Sequence, residues 1–540
     1  MLSTLYDGGP ALLRLGADQA WMTARLTRDV PRYVRATESL DEARSRIRLR
    51  LQQRGPRLLA VTRRAIFEYP ASPYLPLLQH AGCEYGDLVQ LVEREGVEGA
   101  LSQLAARGVY VTFDETTGRR EVVRGSFRHT FTDSDFNNPL AAPHFTSQTG
   151  GSSGRAKPLR QSLEFGYEIG SDFAVTLDAH GVQQPAFVFW MTAPIFWLLM
   201  VSRLGHRTVG WFYPLQQSPW WFAAGARYLA ALVRFGGGCL PLPQYHDLAE
   251  AAEMARWLSG RLQHERPIVL CCPVSSSVRV ALAAQEAGLS LDGLVVIAMG
   301  EPTTEERRRH LEAAGARVMT RYSTMEAGPI AAGCAAPTSA DDGHVFLDRF
   351  ALIDRPYAPA NTNADAPVPS LLVTGLGQHD IKMLWNAELG DYGRREVRAP
   401  DCCGLGSLGL TTHLSEIRSF EKLSGEGVSF ARSQIEQIIE QVLPSRFGGT
   451  ALDYQLVEEA GPDGNLRLAL YVAPACGQLD AEQLRAVFLA ALAAGTAADR
   501  YQAALLERAH SLTIRRERPH VTAGGKMLPF HVRRVPTGKH

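Results

Sequence analysis

Residues Gly293 to Pro302 read Gly-Leu-Val-Val-Ile-Ala-Met-Gly-Glu-Pro. The aliphatic and β-branched run up to Met299 predicts a strand buried on both faces, as strands of parallel sheets are. In doubly wound sheets ligands sit outside the carboxyl ends of the strands, which makes Gly300, Glu301 and Pro302 a natural nucleotide position. A plainer reading is a strand-to-helix turn, with Thr303 capping a charged helix from Glu305 to Ala314. The two readings are compatible.

The surrounding chain has the same grammar. From Pro158 to about Gly409 helical and strand-like segments alternate, which predicts an α/β sheet. Before it, residues 1–108 are helical in character, and Val109 to His129 alternates around Thr116-Thr117-Gly118 as a hairpin would. After about Thr412 a smaller α/β unit follows, with a helix near Gln434 to Val442, a strand near Leu466 to Val472 and a helix from Ala481 to Ala494. The expected division is a large domain over 1–414 and a small one over 415–540.

Composition limits the function classes. The 540 residues are 45% hydrophobic, enough for sizeable cores. The 56 basic and 56 acidic residues cancel. That balance speaks against nucleic acid as a partner. The longest mainly apolar run, Ala186 to Val201, contains Thr192 and Pro194 and is too short for a bilayer. With no basic segment leading into an apolar one at the start, a cytoplasmic protein with no membrane partner is expected, its eight cysteines reduced.

Thr149-Gly150-Gly151-Ser152-Ser153-Gly154-Arg155-Ala156-Lys157 reads as an anion cradle. Its glycines let successive N–H groups converge, the serines add hydroxyl donors, and Lys157 is a compact charge for phosphate. No Walker A order can be laid on it. A flexible Gly/Ser surface loop is the bland alternative.

Further along come Tyr322-Ser323-Thr324-Met325-Glu326, then Leu371 to Thr374 with Leu389-Gly390-Asp391, then Ser433-Gln434-Ile435-Glu436, and finally Pro519 to Lys526. In this order the motifs resemble those of the adenylate-forming superfamily: acyl-CoA synthetases, peptide-synthetase adenylation domains and luciferase. Gly300-Glu301-Pro302 and Ala327 to Cys334 are similar to the phenylacetate-CoA ligase branch. The resemblance covers roughly residues 130 to 530. This chain departs from the family pattern at Ala156, Ser323, Met325 and Asn386.

The resemblance implies a large α/β adenylation domain with a helical opening segment and a small mobile C-terminal α/β domain. ATP would lie with its phosphates on Thr149 to Lys157, its adenine by Gly300, Glu301, Pro302, Tyr322, Ser323 and Thr324, and its ribose on Asp391. Glu326 would hold Mg²⁺, as a hard carboxylate ligand can. Lys526 would reach the reacting groups, with Lys539 as a rival, and Arg418 would stand near a hinge. The implied activity is adenylation of a small carboxylic acid with release of pyrophosphate. Transfer would follow to a thiol, most simply coenzyme A, with a carrier protein or an amine as alternative acceptors. Nitrite in place of the acid, and a non-catalytic nucleotide-binding protein, are further alternatives.

Two more expectations concern the substrate and a metal. Phe187, Phe189, Trp190, Phe196, Trp197, Trp211, Phe212, Tyr213, Trp220, Trp221 and Phe222 fall where the family builds its acid pocket, implying an aromatic acid; as plain sequence, most read as core. Cys334, His344, Cys402 and Cys403 match places where some members of the branch carry structural zinc. Here the last two are adjacent, and neighbouring side chains do not easily meet at one tetrahedral centre.

Overall fold

The structure, a computed structural model, describes residues 17–148, 158–191, 194–214, 220–355, 370–419, 423–425, 428–430, 435, 437–450, 453–460, 466–495, 497–520 and 530–532. Among these, the largest sheet has twelve strands. In chain order they are β1 (Ala186–Trp190), β2 (Arg207–Tyr213), β3 (Gln244–Tyr245), β4 (Ile268–Pro273), β5 (Leu294–Met299) and β6 (Arg317–Thr324). There follow β7 (Gly328–Gly333), β8 (Gly343–Val345), β9 (Phe350–Asp354), β10 (Ser370–Gly375), β11 (Ala387–Val397) and β12 (Thr412–Ser419). Their spatial order is β9-β10-β11-β12-β8-β7-β6-β5-β4-β1-β2-β3.

The sheet has two halves. From β6 to β3 every pairing is parallel. From β6 to β9 every pairing is antiparallel. The predicted run forms β5, all six of its residues buried. Side chains alternate across it: Leu294, Val296 and Ala298 enter one apolar cluster, and Val295, Ile297 and Met299 the other. Helices on both faces fill these clusters, which is why the parallel strands are apolar throughout.

The helical opening segment is present from Ala17, in Ala17–Arg35, Leu40–Gln52, Arg54–Thr62, Leu75–His80 and Tyr85–Ala106. Its Ile47, Leu58, Leu78 and Leu101 share a core with Phe350, Leu372 and Trp385 of the antiparallel half. A buried ionic cluster reinforces that junction. Arg50 pairs with Asp172 (2.6 Å) and Asp348 (2.7 Å), Arg349 with Asp172 (3.1 Å), and Arg57 with Glu168 (3.7 Å). Asp380 faces Arg349 at 3.9 Å.

Two sequence expectations are corrected. Thr116 ends a short helix, Phe113–Thr116, and the hairpin is Val122–Arg124 with Phe127–His129, turning at Gly125 with positive φ. The helix cap is Thr304, whose side chain accepts from the Arg307 amide, while Thr303 is buried. Asp391 stands in the eleven-residue β11.

β12 runs across the expected 414/415 division and pairs on both sides within the large sheet. A separate four-stranded sheet contains β13 (Tyr454–Ala460), β14 (Leu466–Val472), β15 (Leu512–Arg515) and β16 (Phe530–Val532), ordered β15-β14-β13-β16. Helices Ala481–Ala493 and Ala497–Arg508 lie between β14 and β15 in the chain. Arg508 bonds Asp247 and Tyr245 beside the edge of the large sheet. Among the described residues no helix is long and apolar enough to cross a membrane.

Candidate active site

The chain leaves β5 through Gly300, whose φ of +79° is a conformation suited to glycine. Glu301 then turns inward. Its carboxylate accepts from Ser275 Oγ (2.7 Å), the Ser275 amide (3.3 Å) and Arg307 Nη1 (2.9 Å). Arg307 Nη1 also bonds Pro302 O at 2.9 Å. The Glu301 and Arg307 side chains are fully buried. Glu301 therefore pins the turn to the start of helix Val274–Glu286, and a ligand at this turn would meet its backbone rather than that carboxylate. Pro273 to Ser276 are the strand end and helix start that supply this anchor.

Next to β5, β6 carries Tyr322 to its end. The register between β6 and β7 slips between Tyr322 and Ser323, a bulge that re-aims the strand end. Glu326 lies in the tight turn from β6 to β7, where Thr324 Oγ1 accepts from the Ala327 amide (3.1 Å). Gly328 closes the turn at φ +73°, and a Cβ there would stand 2.6 Å from Phe165. Glu326 is partly buried, and Ser323 and Met325 are exposed.

Across this end, the Tyr322 hydroxyl donates to Asp391 Oδ2 at 3.0 Å. Burial raises the Tyr322 pKa well above its ordinary value, and the charges of Asp391 and Glu326 push the same way, so the phenol stays protonated. Tyr392, beside Asp391, pairs in register with Arg418 of β12. The fold thus gathers Tyr322, Asp391, the backbone position of Arg418 and the turn bearing Glu326 at one sheet region. Thr149 to Lys157, Lys526 and the Arg418 side chain lie outside the described residues.

Of the aromatic residues expected at an acid pocket, Phe187, Phe189, Trp190, Trp211, Phe212, Tyr213 and Phe222 are buried core, and Trp220 is exposed. Phe196 and Trp197 are partly buried on one apolar cluster. Asn386, a departure from the family pattern, is also structural: its side chain bonds Leu101 O (2.9 Å) and Val109 O (3.1 Å).

A second constellation lies on the antiparallel side. The ligand atoms of Cys334, His344, Cys402 and His413 all lie within 4.8 Å of one another. His344 and His413 face each other across the β8–β12 ladder, with ring centroids 4.0 Å apart. Leu410 O can only accept, so His344 Nδ1 (2.6 Å away) carries its proton and leaves Nε2 as donor to a metal. Asp342 Oδ1 holds His413 Nδ1 in the same way, also at 2.6 Å. Burial alone would raise the Asp342 pKa, but hydrogen bonds from His413 and the Thr338 amide, with the His413 and Arg398 charges, bring it below the ordinary value. Two thiols and two imidazoles with outer partners suit tetrahedral zinc.

His413 was not foreseen, and Cys403, the expected fourth ligand, stands 3.0 Å from His344 Nε2. Both adjacent cysteines approach the same nitrogen, Cys402 at 4.0 Å, and of the pair only Cys402 belongs to the four-residue group. The turn at Pro400–Cys402 allows this. A hydrogen bond from the Cys334 thiol holds the Cys403 thiol below its usual pKa. None of the eight cysteines is in a disulfide.

No protein-family model and no curated protein matches this chain. Among solved structures it is similar to a malonyl-CoA ligase product complex with methylmalonyl-CoA and AMP, at 16% identity and TM-score 0.40, covering 66% of this chain and 69% of that one. It is similar also to an open 2-hydroxyisobutyryl-CoA ligase with 2-HIB-AMP and CoA, at 16% identity and TM-score 0.41, covering 84% and 89%. A third is the amide bond synthetase of Marinactinospora thermotolerans, at 15% identity and TM-score 0.40, covering 92% and 97%. Likeness this loose transfers no residue role, substrate or acceptor.

Proposed function

We propose that the chain is an ATP-dependent, AMP-forming ligase that adenylates a small carboxylic acid, aromatic by preference, and passes the acyl group to coenzyme A. The observation that carries this reading is the Tyr322–Asp391 hydrogen bond. Two residues picked from separate motifs, as adenine and ribose contacts, meet at a strand end beside the Gly300 turn. In this reading Thr149 to Lys157 cradle the phosphates, with Ser152, Ser153 and Lys157 as donors. Asp391, acceptor-only when ionised, takes the ribose hydroxyls.

Glu326 would hold magnesium, which supplies neutralisation of phosphate charge. A substrate carboxylate oxygen attacks the α-phosphorus in line; the new P–O bond forms as the bond to pyrophosphate breaks. Lys526 holds the carboxylate and phosphate oxygens together, which is catalysis by position and charge. Next the thiol sulfur attacks the acyl carbon and AMP leaves with the electron pair. Arg418, near the end of β12, is the hinge-proximal cation of the same scheme. Cys334, His344, Cys402 and His413 would hold zinc as a structural staple that fastens the segment around Cys402 to β8 and β12.

Acid-dependent exchange of labelled pyrophosphate into ATP tests the reading. The expected result is exchange with at least one aromatic acid, and thioester formation on adding coenzyme A. No exchange with any acid, in protein that binds ATP, would return the chain to the non-catalytic class.

A further inference from the structure

Among the described residues Arg321 differs from the buried arginines. Arg50, Arg203, Arg307, Arg349 and Arg355 each have a carboxylate partner. Among the described residues Arg321 has no ion pair, and its Nε is buried with no hydrogen-bond partner. The residue as a whole remains partly open. The Asp172 carboxylate, whose charge acts on Arg321, already pairs with Arg50 and Arg349, so the arrangement calls for a further anion that the described residues do not provide.

Its location says which anion. On β6, Val318 points into one apolar cluster and Met319 into the other, and Arg321 follows Met319 on the second face. There its Cζ lies 4.2 Å from the Trp197 ring centroid and 5.6 Å from that of Phe173. Stacking on an indole face holds the planar fork while its N–H edge stays able to bind a carboxylate. Arg321 lies one residue past the Thr320–Ala298 pair, at the carboxyl edge where Gly300 turns, and directly precedes Tyr322. The neighbouring Cys271 is a buried thiol whose own pKa is raised by burial, so it offers no charge at neutral pH. Burial brings the Arg321 pKa down to about 9, which still leaves it cationic near neutrality.

We propose that Arg321 is a specificity-determining residue that binds a second, non-reacting carboxylate of the substrate, so that the acid adenylated is a dicarboxylic acid with an apolar, ring-sized body. This rests on the adenylation reading. A guanidinium paired in a fork with the reacting carboxylate would stabilise its charge and make it a weaker nucleophile toward phosphorus. A clamp of this kind therefore belongs at the far end of the substrate. Trp197 and Phe173 provide the apolar wall beside it.

Calorimetric titration of the full chain with benzoate and with isophthalate separates the outcomes, with wild type, R321L, R321Q and R321K compared after checking each fold by circular dichroism. Wild type is expected to bind isophthalate about tenfold or more tighter than benzoate. R321L and R321Q should lose that preference, and R321K should recover part of it. Equal binding of the two acids by wild type, no binding of either, or an unchanged preference in R321L and R321Q, would overturn the proposal. Arg321-dependent isophthalate binding without pyrophosphate exchange would leave the anion site standing and remove the adenylation reading instead.

Discussion

The hydroxyl of Tyr322 and the carboxylate of Asp391, 69 residues apart in the chain, are joined by a 3.0 Å hydrogen bond. The bond ties the end of β6 to β11 and fixes the carboxylate beside the tyrosine ring. Asp391→Asn keeps the shape and removes the charge. ATP KM should rise by about tenfold, the loss of one charge-assisted hydrogen bond, with kcat changed less. Tyr322→Phe keeps the ring and should raise KM by less than Asp391→Asn. Initial-rate kinetics at varied ATP decide it; an unchanged KM in Asp391→Asn would remove the ribose assignment.

Glu326→Gln tests the metal carboxylate. The side chain is partly buried in a turn shaped by Thr324 and Gly328, so the isosteric amide should leave the fold intact. Pyrophosphate release should fall by about a hundredfold or more, since several kcal/mol of charge stabilisation depend on the metal site. Release at the wild-type rate, at any magnesium concentration, sinks the assignment.

Much of the parallel half was legible because strands buried on both faces have to be apolar throughout, and Leu294 to Met299 is. The Val109 to His129 segment misled because Thr112, an N-cap residue, and Gly125, a turn residue, punctuate it at places that alternation does not mark. Tyr322 and Asp391 were legible as motif residues, but their contact depends on the β6–β7 bulge and on β11, which no local pattern encodes. His413 was invisible for a similar reason: only the β8–β12 pairing brings it opposite His344. Glu301 read as a ligand contact because its burial partner Arg307 lies in the next helix and looks there like one more charge on a solvated face. Arg321 was passed over likewise, as a charge in a strand.

The Cys/His cluster predicts bound zinc and a hierarchy among its members. His413→Ala and Cys334→Ser should lose the metal, while Cys403→Ser should keep it. Asp342→Asn should weaken metal affinity by about 10–100-fold through its hold on His413. Metal analysis of purified protein, the thiolate-to-cobalt charge-transfer bands of a substituted sample, and thermal melts with and without chelator provide the readout. Zinc lost from Cys403→Ser but retained in His413→Ala would reverse the assignment of the fourth ligand.

The ionic cluster behind the sheet predicts a pH dependence of stability. Glu168, Asp172, Asp348 and Asp380 share it with Arg50, Arg57 and Arg349, leaving carboxylates in excess. Burial raises Asp348 to about 6 and Asp380 to about 7 from an ordinary 3.8, against the opposing pull of the arginines. A raised carboxyl is more easily protonated in the fold than out of it. Its contribution is therefore complete below the ordinary carboxylate range and is lost as pH rises through 6 and 7. Asp380→Asn should flatten this decline, measured by urea unfolding across that range. An equally steep decline in the variant refutes the cluster as its source.

Lys526 tests the two-step scheme itself. The chain is anchored on both sides of it: His520 exchanges hydrogen bonds with Gln455 (2.7 and 3.1 Å), and Phe530 pairs with Leu456 in the small sheet. Lys526 lies between these two anchors in the chain, and Lys539 lies beyond both. If Lys526 acts only when the small unit faces the nucleotide, Lys526→Ala should form acyl-adenylate slower by about a hundredfold or more. Given pre-formed acyl-adenylate and coenzyme A, the same variant should still make thioester at a rate near wild type. Lys539→Ala should be close to silent in both half-reactions. Equal loss of both half-reactions in Lys526→Ala would refute the separate use of the lysine, and a crippled Lys539→Ala would move the role to the other lysine.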